Sequence, residues 1–271
     1  MGEYRRALVT FIDILGFKDL IEQSRSGEDC SPVAVDKILR IVSKLKRAND
    51  FTGRVKEDKE GHRVVNFSST NFSDCLVRST WINSPDDFIK AIYAEFLSIA
   101  SMQSYVTTYE GMMIRGGMAV GGLYKDDIVG LLFGPALVDA YQLEQKAVVP
   151  RILLSEAILR EIKSKGTASE YYVYEDSDCV AYLDYLKASY DTSFGTWPIT
   201  CVNDCNEMMQ DHMNAVIQKS EELRAQPIEI RQKAHWLAGY HNSVIQRIVA
   251  ERPALEGAIG DLLIDNLALS Q

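Results

Sequence analysis

The chain has 271 residues, 46% of them hydrophobic, and 38 acidic against 29 basic side chains give it a formal net charge of −9. That is enough apolar material for a full core, so the chain is not disordered. The negative balance excludes nucleic acid as a general partner, because such binding depends on Lys and Arg neutralising phosphates, but a few local cations would still hold a small phosphorylated ligand.

No apolar run reaches the roughly 18 residues of a membrane span, and Asp13 interrupts the apolar stretch a signal peptide would need. A cytoplasmic protein without membrane contact is therefore expected. Its five cysteines (Cys30, Cys75, Cys179, Cys201 and Cys205) are odd in number and irregularly spaced, as in reduced thiols rather than a disulfide framework. Cys201 and Cys205 lack the second ligand pair of a structural zinc site.

In chain order, Ala7, Leu8, Val9, Thr10, Phe11 and Ile12 form a nearly continuous apolar strand of the kind found in a helix-covered sheet. Asp13 lies at its exit. Gly16 permits a tight turn, and a helical pattern begins at Phe17. A carboxylate in that place must be paired, hydrated or metal-bound to offset its desolvation; capping the next helix is the simpler alternative. Val35, Ile38, Leu39, Val42 and Leu45 then make a helical stripe after Ser31-Pro32.

Residues 63–67 and 72–77 read as the two strands of a hairpin, with the polar residues 68–71 as its turn. Asp74 falls in the second strand. If the fold brings Asp13 and Asp74 together, their repulsion calls for a divalent cation between them. Ser84-Pro85-Asp86-Asp87 starts a long helix through Phe88, Ile92, Phe96 and Ile99.

Residues 112–123 mix apolar side chains with Gly116, Gly117, Gly121 and Gly122. Such glycines mark close approach by a ligand or another backbone, or relieve crowding in a twisted strand. Arg115 on the same strand suits a surface ion pair or a bidentate phosphate contact. A turn is expected at 125–127, a strand at 128–132, a helix from Phe133-Gly134-Pro135 through Leu143 and Glu144, and a strand at 151–154. Ser155 is the expected cap of a helix through Ile162.

Beyond about residue 203 the pattern is helical. Lys233, Trp236 and Tyr240 share i, i+3, i+7 spacing and read as a packing face in preference to a nucleotide contact. The four histidines show no partner in sequence that suggests a triad. This order of elements describes an α+β, ferredoxin-like arrangement, an antiparallel or mixed sheet with helices on one face. The expected division is residues 1–202 as the sheet domain and 203–271 as a helical extension packed on it.

Together these pieces resemble the catalytic domain of class III nucleotidyl cyclases, over about residues 5 to 160. Phe11-Ile12-Asp13-Ile14-Leu15-Gly16-Phe17 resembles that family's first metal motif. Asn71-Phe72-Ser73-Asp74 resembles its second, which lies in a hairpin ending Gly-Asp. Phe133-Gly134-Pro135 with Leu143-Glu144 resembles its Trp-Gly helix start and the Leu/Met-Glu that follows.

The resemblance implies a head-to-tail homodimer with active sites at the interface. Each site would cyclise a nucleoside triphosphate and release pyrophosphate. It also implies two divalent cations, Mn²⁺ or Mg²⁺, on Asp13, Asp74 and the Ile14 backbone carbonyl, with Phe17 and Arg115 at the substrate. Purine-selective members place a lysine and an acid where Thr70 and Leu131 stand here. A transition-state asparagine and an arginine are replaced by Val138 and Gln142.

A short chain with these motifs and the segment around Lys233-Ala234-His235-Trp236 most resembles the pyrimidine cyclases of bacterial Pycsar antiphage defence. That implies cyclic UMP from UTP, favoured over cyclic CMP from CTP, read by a separate cyclic-nucleotide-responsive effector. The alternatives are a cyclase acting on ATP or GTP and a catalytically silent nucleotide-binding dimer.

Overall fold

A computed structural model describes residues 3–24, 32–52, 67–166, 168–176, 178–196 and 202–265. The elements are β1 (Arg5–Ile14), α1 (Phe17–Gln23), α2 (Pro32–Thr52), β2 (Ser68–Phe72), β3 (Cys75–Trp81), α3 (Pro85–Thr108), β4 (Ile114–Asp126) and β5 (Leu131–Phe133). They continue with α4 (Pro135–Lys146), β6 (Ile152–Leu154), α5 (Glu156–Lys165), β7 (Val173–Glu175), β8 (Ala181–Leu183) and α6 (Tyr185–Thr196). Three more helices follow: α7 (Val202–Glu222), α8 (Ile228–Glu251) and α9 (Glu256–Ile259).

The strands form one mixed sheet in the order β2-β3-β1-β4-β6-β8-β7, with β5 folded back on β4. All pairings are antiparallel except β4 with β6. This is the expected α+β sheet with helices. β1 is central, which accounts for its nearly continuous apolar sequence: Leu8, Ile12 and Ile14 join the larger core, while Ala7, Val9 and Phe11 join a second core beneath α4.

Helices therefore lie on both faces, not one. The second face is open to α4 because Gly117 has no side chain: a Cβ there would stand 2.1 Å from the Ala140 carbonyl oxygen. Gly134 is also required, with φ +150° and the Gly122 carbonyl oxygen 2.5 Å from where its Cβ would be. The helix starts read from sequence hold at α3 and α5, where the Ser84 and Ser155 side chains accept from the backbone N–H of Asp87 and Ile158.

The larger core encloses an ion pair between Arg78 and Glu95. Arg78 donates to Glu95 at 2.8 Å, to Ser98 at 2.8 Å and to Asn49 at 3.2 Å, and Thr10 donates to Glu95 at 2.7 Å. These bonds engage both terminal nitrogens of a guanidinium, and both oxygens of a carboxylate, that are almost wholly buried, and they tie β1 and β3 to α2 and α3.

Two turns differ from expectation. The polar residues Ser68, Ser69, Thr70 and Asn71 are strand, not turn, and the hairpin reverses at Ser73-Asp74. Polar side chains suit β2 because it is the sheet edge; the expected strand over 63–66 lies outside the described residues. The second turn comes later than 125–127. Asp126 ends β4 and its carboxylate accepts from the N–H groups of Ile128 and Val129, while Gly130 supplies a φ of +69°.

The C-terminal helices pack on α3 and α6. Histidines far apart in sequence do meet here: His212 and His241 stack at 5.1 Å with their Nδ1 atoms 3.1 Å apart. Tyr185 bonds His212 Nε2 at 2.9 Å, and His241 Nε2 bonds the Leu262 carbonyl at 2.8 Å. Burial holds both imidazoles below their usual pKa, and His241 reaches about 4. The chain is a neutral structural clasp for residues 262–264, reinforced by two bonds between Asn242 and Ile264.

Candidate functional site

The antiparallel register sets Asp13 opposite Arg115 on β4, and the β2–β3 turn carries Asp74 and Cys75 to the same end of the sheet. One donor atom each from Asp13, Asp74 and Cys75 lies within 4.8 Å of the others. The Cys75 thiol stands 3.7 Å from an Asp13 oxygen and 3.9 Å from an Asp74 oxygen. The fold thus brings the two sequence-predicted carboxylates together.

Arg115 answers part of their charge. Its Nη2 lies 3.2 Å from Asp13 and 2.7 Å from Glu144, and its Nη1 donates to the Ala147 carbonyl at 3.4 Å. Glu144, buried at the end of α4, is delivered by the close packing at Gly117. Arg115 is thus in ion pairs with both carboxylates.

The balance remains negative. Burial first, then a shared hydrogen bond with Asp74 and the charges of Asp74 and Glu144, raise the Asp13 carboxyl from 3.8 to about 7, although Arg115 opposes them. Burial and the same carboxylates push the Cys75 thiol up to about 12. A site in which Asp13 and the Cys75 thiol are hard to ionise is one a divalent cation would relieve. Two carboxylates with a thiol nearby fit such an ion, the hard oxygens suiting Mg²⁺ or Mn²⁺.

Ile14 ends β1 beside Asp13, and the Leu15 N–H that follows is held by the Met113 carbonyl at 2.9 Å. The Phe17 ring is buried in the core, so only its backbone is left for a ligand. Val138 and Leu131 are exposed on α4 and β5, and Gln142 is exposed on α4.

Sequence reading missed two members of the constellation, Cys75 and the Arg115–Glu144 link. Cys75 adjoins Asp74, so a search around each acid would have found it. The Leu143-Glu144 motif marks Glu144, but no local signal pairs it with Arg115.

The hairpin tip carries one strained residue. Ser73 has φ +54°, a left-handed conformation that glycine adopts freely, and the resembling motif has glycine there. Ser73→Gly is expected to raise stability by up to about 1 kcal/mol, read as a higher urea midpoint. A lower midpoint would show that the Ser73 side chain holds the turn.

No protein-family model matches the chain, and no curated protein matches it. Solved structures to which it is similar include the adenylyl cyclase CyaB from P. aeruginosa, with a TM-score of 0.48 and 16% identity over 67% of this chain and 94% of that one. Another is the catalytic core of a rhodopsin-guanylyl cyclase with converted specificity in complex with ATPαS, with a TM-score of 0.43 and 18% identity over 66% and 94%. A third is a class III adenylyl cyclase-like ATP-binding protein from Pseudomonas aeruginosa, with a TM-score of 0.46 and 13% identity over 83% and 45%. No helix among the described residues is long and apolar enough to cross a membrane.

Proposed function

We propose that the chain is a pyrimidine nucleotide cyclase that converts UTP to 3′,5′-cyclic UMP and pyrophosphate. The observation that carries this reading is the convergence of Asp13 and Asp74, from separate elements, into one cluster of unbalanced negative charge. In the reaction the ribose 3′-oxygen bonds to the α-phosphorus, the bond to the β-phosphate oxygen breaks, and the hydroxyl proton passes to solvent. Two divalent cations, Mn²⁺ or Mg²⁺, would neutralise the phosphoryl oxygens and acidify the 3′-hydroxyl when bound.

Asp13 and Asp74, with the Ile14 carbonyl, would hold those ions. Arg115, pinned by Glu144, keeps the Asp13 carboxylate oriented and offsets its charge. The neutral Thr70 and Leu131 support a pyrimidine reading, since neither offers the charged contacts that purine-selective relatives use. CTP differs from UTP by one amino group for one carbonyl and is the alternative substrate.

The homodimer reading is supported by apolar side chains left exposed along β5 and α4. Leu131, Phe133, Val138 and Tyr141 are each about half exposed, and Ile128 is almost fully exposed, beside a Tyr124–Phe133 stack at 4.8 Å. A contiguous apolar strip of that kind marks a binding face. The product would be a second messenger in antiphage defence, acting on a separate effector; the sequence motifs support that role.

One observation favours a silent nucleotide-binding dimer instead. Val138 and Gln142 stand where the resembling family carries its transition-state groups, and Arg115 is already paired. Incubation with ATP, GTP, CTP and UTP in Mn²⁺, with products read by mass spectrometry, separates the readings. A cyclic pyrimidine monophosphate is expected. Cyclic AMP or cyclic GMP would overturn the base choice, and no cyclic product from any of the four would favour the silent dimer.

A further inference from the structure

Helix α8 packs on the sheet near the site. Sheet register fixes which face it stands on: Asp13 pairs with Arg115, Gly117 two residues on pairs with Leu153, and Leu153 pairs with Tyr182, so all of these project to one side. Helix α8 lies on that side. Trp236 and Tyr240 meet Tyr182 edge-on at 5.6 and 6.0 Å, and the Trp236 ring N–H donates to Asp176 at 3.1 Å. Tyr240 donates to Asp184 at 2.7 Å. The Arg151 guanidinium sits 6.0 Å from the Trp236 ring, and the Arg151 carbonyl accepts from Gly116 N–H, next to Arg115.

One turn before Trp236 on the same stripe comes Lys233. It is partly buried, and the charges of Arg115, Asp13 and Asp19 all act on it. Burial first, then Arg115, lowers its pKa from the usual lysine value, while Asp19 and Asp13 oppose that. An ammonium held beside a guanidinium gains most from a ligand that brings more negative charge than two carboxylates supply. Arg115 is committed to Asp13 and Glu144, and the exposed α4 positions Val138 and Gln142, where the resembling family carries its transition-state groups, hold no charge. A polyphosphate would thus find a further cation on α8, at Lys233.

We propose that Lys233 is a phosphate-binding residue of this site, so that α8 completes the site within the same chain. The inference rests on the nucleotide reading of Asp13 and Asp74 and assigns that site a contact from outside the cyclase-like region. It also gives the C-terminal helices a role beyond packing.

The test is equilibrium binding, in Mn²⁺, of the α,β-methylene analogues of UTP, CTP, ATP and GTP and of the matching monophosphates. Lys233→Gln is expected to weaken the triphosphate analogue that binds wild type by about tenfold or more, with the monophosphate changed by less than about twofold. Lys233→Arg is expected to keep most of the affinity. Unchanged triphosphate affinity in Lys233→Gln would overturn the inference and leave the nucleotide reading standing. Equal losses of triphosphate and monophosphate in both variants would also overturn it, since they would mark a packing role. Failure of wild type to bind any triphosphate would overturn the nucleotide reading and this inference with it.

Discussion

Asp13→Asn and Asp74→Asn are expected to lower cyclisation by at least about 10³-fold while leaving a folded protein, because each removes a charged ligand from the ions that stabilise the transition state. For Asp13 the accompanying stability change has the opposite sign. Its carboxyl titrates near 7 in the folded protein against 3.8 ordinarily, so the native state favours the protonated form. That contribution is fully present below about pH 4 and is lost as pH rises through about 7.

Metal-free wild type should therefore lose thermal stability across that window, and Asp13→Asn should be the more stable protein at pH 8. Added Mn²⁺ should stabilise wild type and do little for the variant. Thermal melts at pH 4, 6 and 8, with and without Mn²⁺, check this. A wild-type protein whose stability is flat across the window, or a variant that Mn²⁺ stabilises equally, would contradict it.

Gly117→Ala is expected to be the most damaging change outside the carboxylates. Its new methyl would lie 2.1 Å from the Ala140 carbonyl oxygen, 2.5 Å from Leu143 and 2.8 Å from the Glu144 nitrogen, and two of these three are backbone atoms. Helix α4 must move, at about 3 kcal/mol or more. Movement also shifts Glu144 away from Arg115, and a displacement of about 1 Å at a supporting group can lower activity by about 10²-fold.

Gly239→Ala is the control, since its Cβ would meet nothing within 4 Å in the interior of α8. It should gain up to about 1 kcal/mol from helix propensity. Urea unfolding and turnover of both variants make the comparison. A Gly117→Ala protein with wild-type midpoint and activity would show that α4 does not position the site.

The parts of the fold that were legible in sequence are those governed by local chemistry. β1, its terminal Asp13 and the turn at Gly16 announce themselves within a dozen residues, and Ser84 and Ser155 mark helix starts by a bond that spans three residues. β2 was misread because Ser, Thr and Asn favour turns in isolation; its strand identity comes from pairing with β3 at an edge where polar side chains are at home. β7 and β8 are three residues each, too short for any periodicity to register.

For the candidate site, the two aspartates could be named but not their surroundings. Arg115 is 102 residues from Asp13 in sequence, and its choice of Glu144 depends on a helix whose approach to the sheet needs Gly117. Lys233 is the extreme case: its spacing with Trp236 and Tyr240 places it on one stripe of α8, but that the charge of Arg115 acts on it depends on tertiary packing alone. The His212–His241 clasp was illegible for the same reason, being made wholly by tertiary contact.

The most direct test of the paired-carboxylate site is an anomalous difference map from crystals grown with Mn²⁺ and the α,β-methylene analogue of UTP. Two Mn²⁺ peaks at coordination distance from Asp13 and Asp74, one of them also touching the Ile14 carbonyl, are the expected result. A bound nucleotide with no Mn²⁺ at either aspartate, and Arg115 still alone against Asp13, would contradict the account.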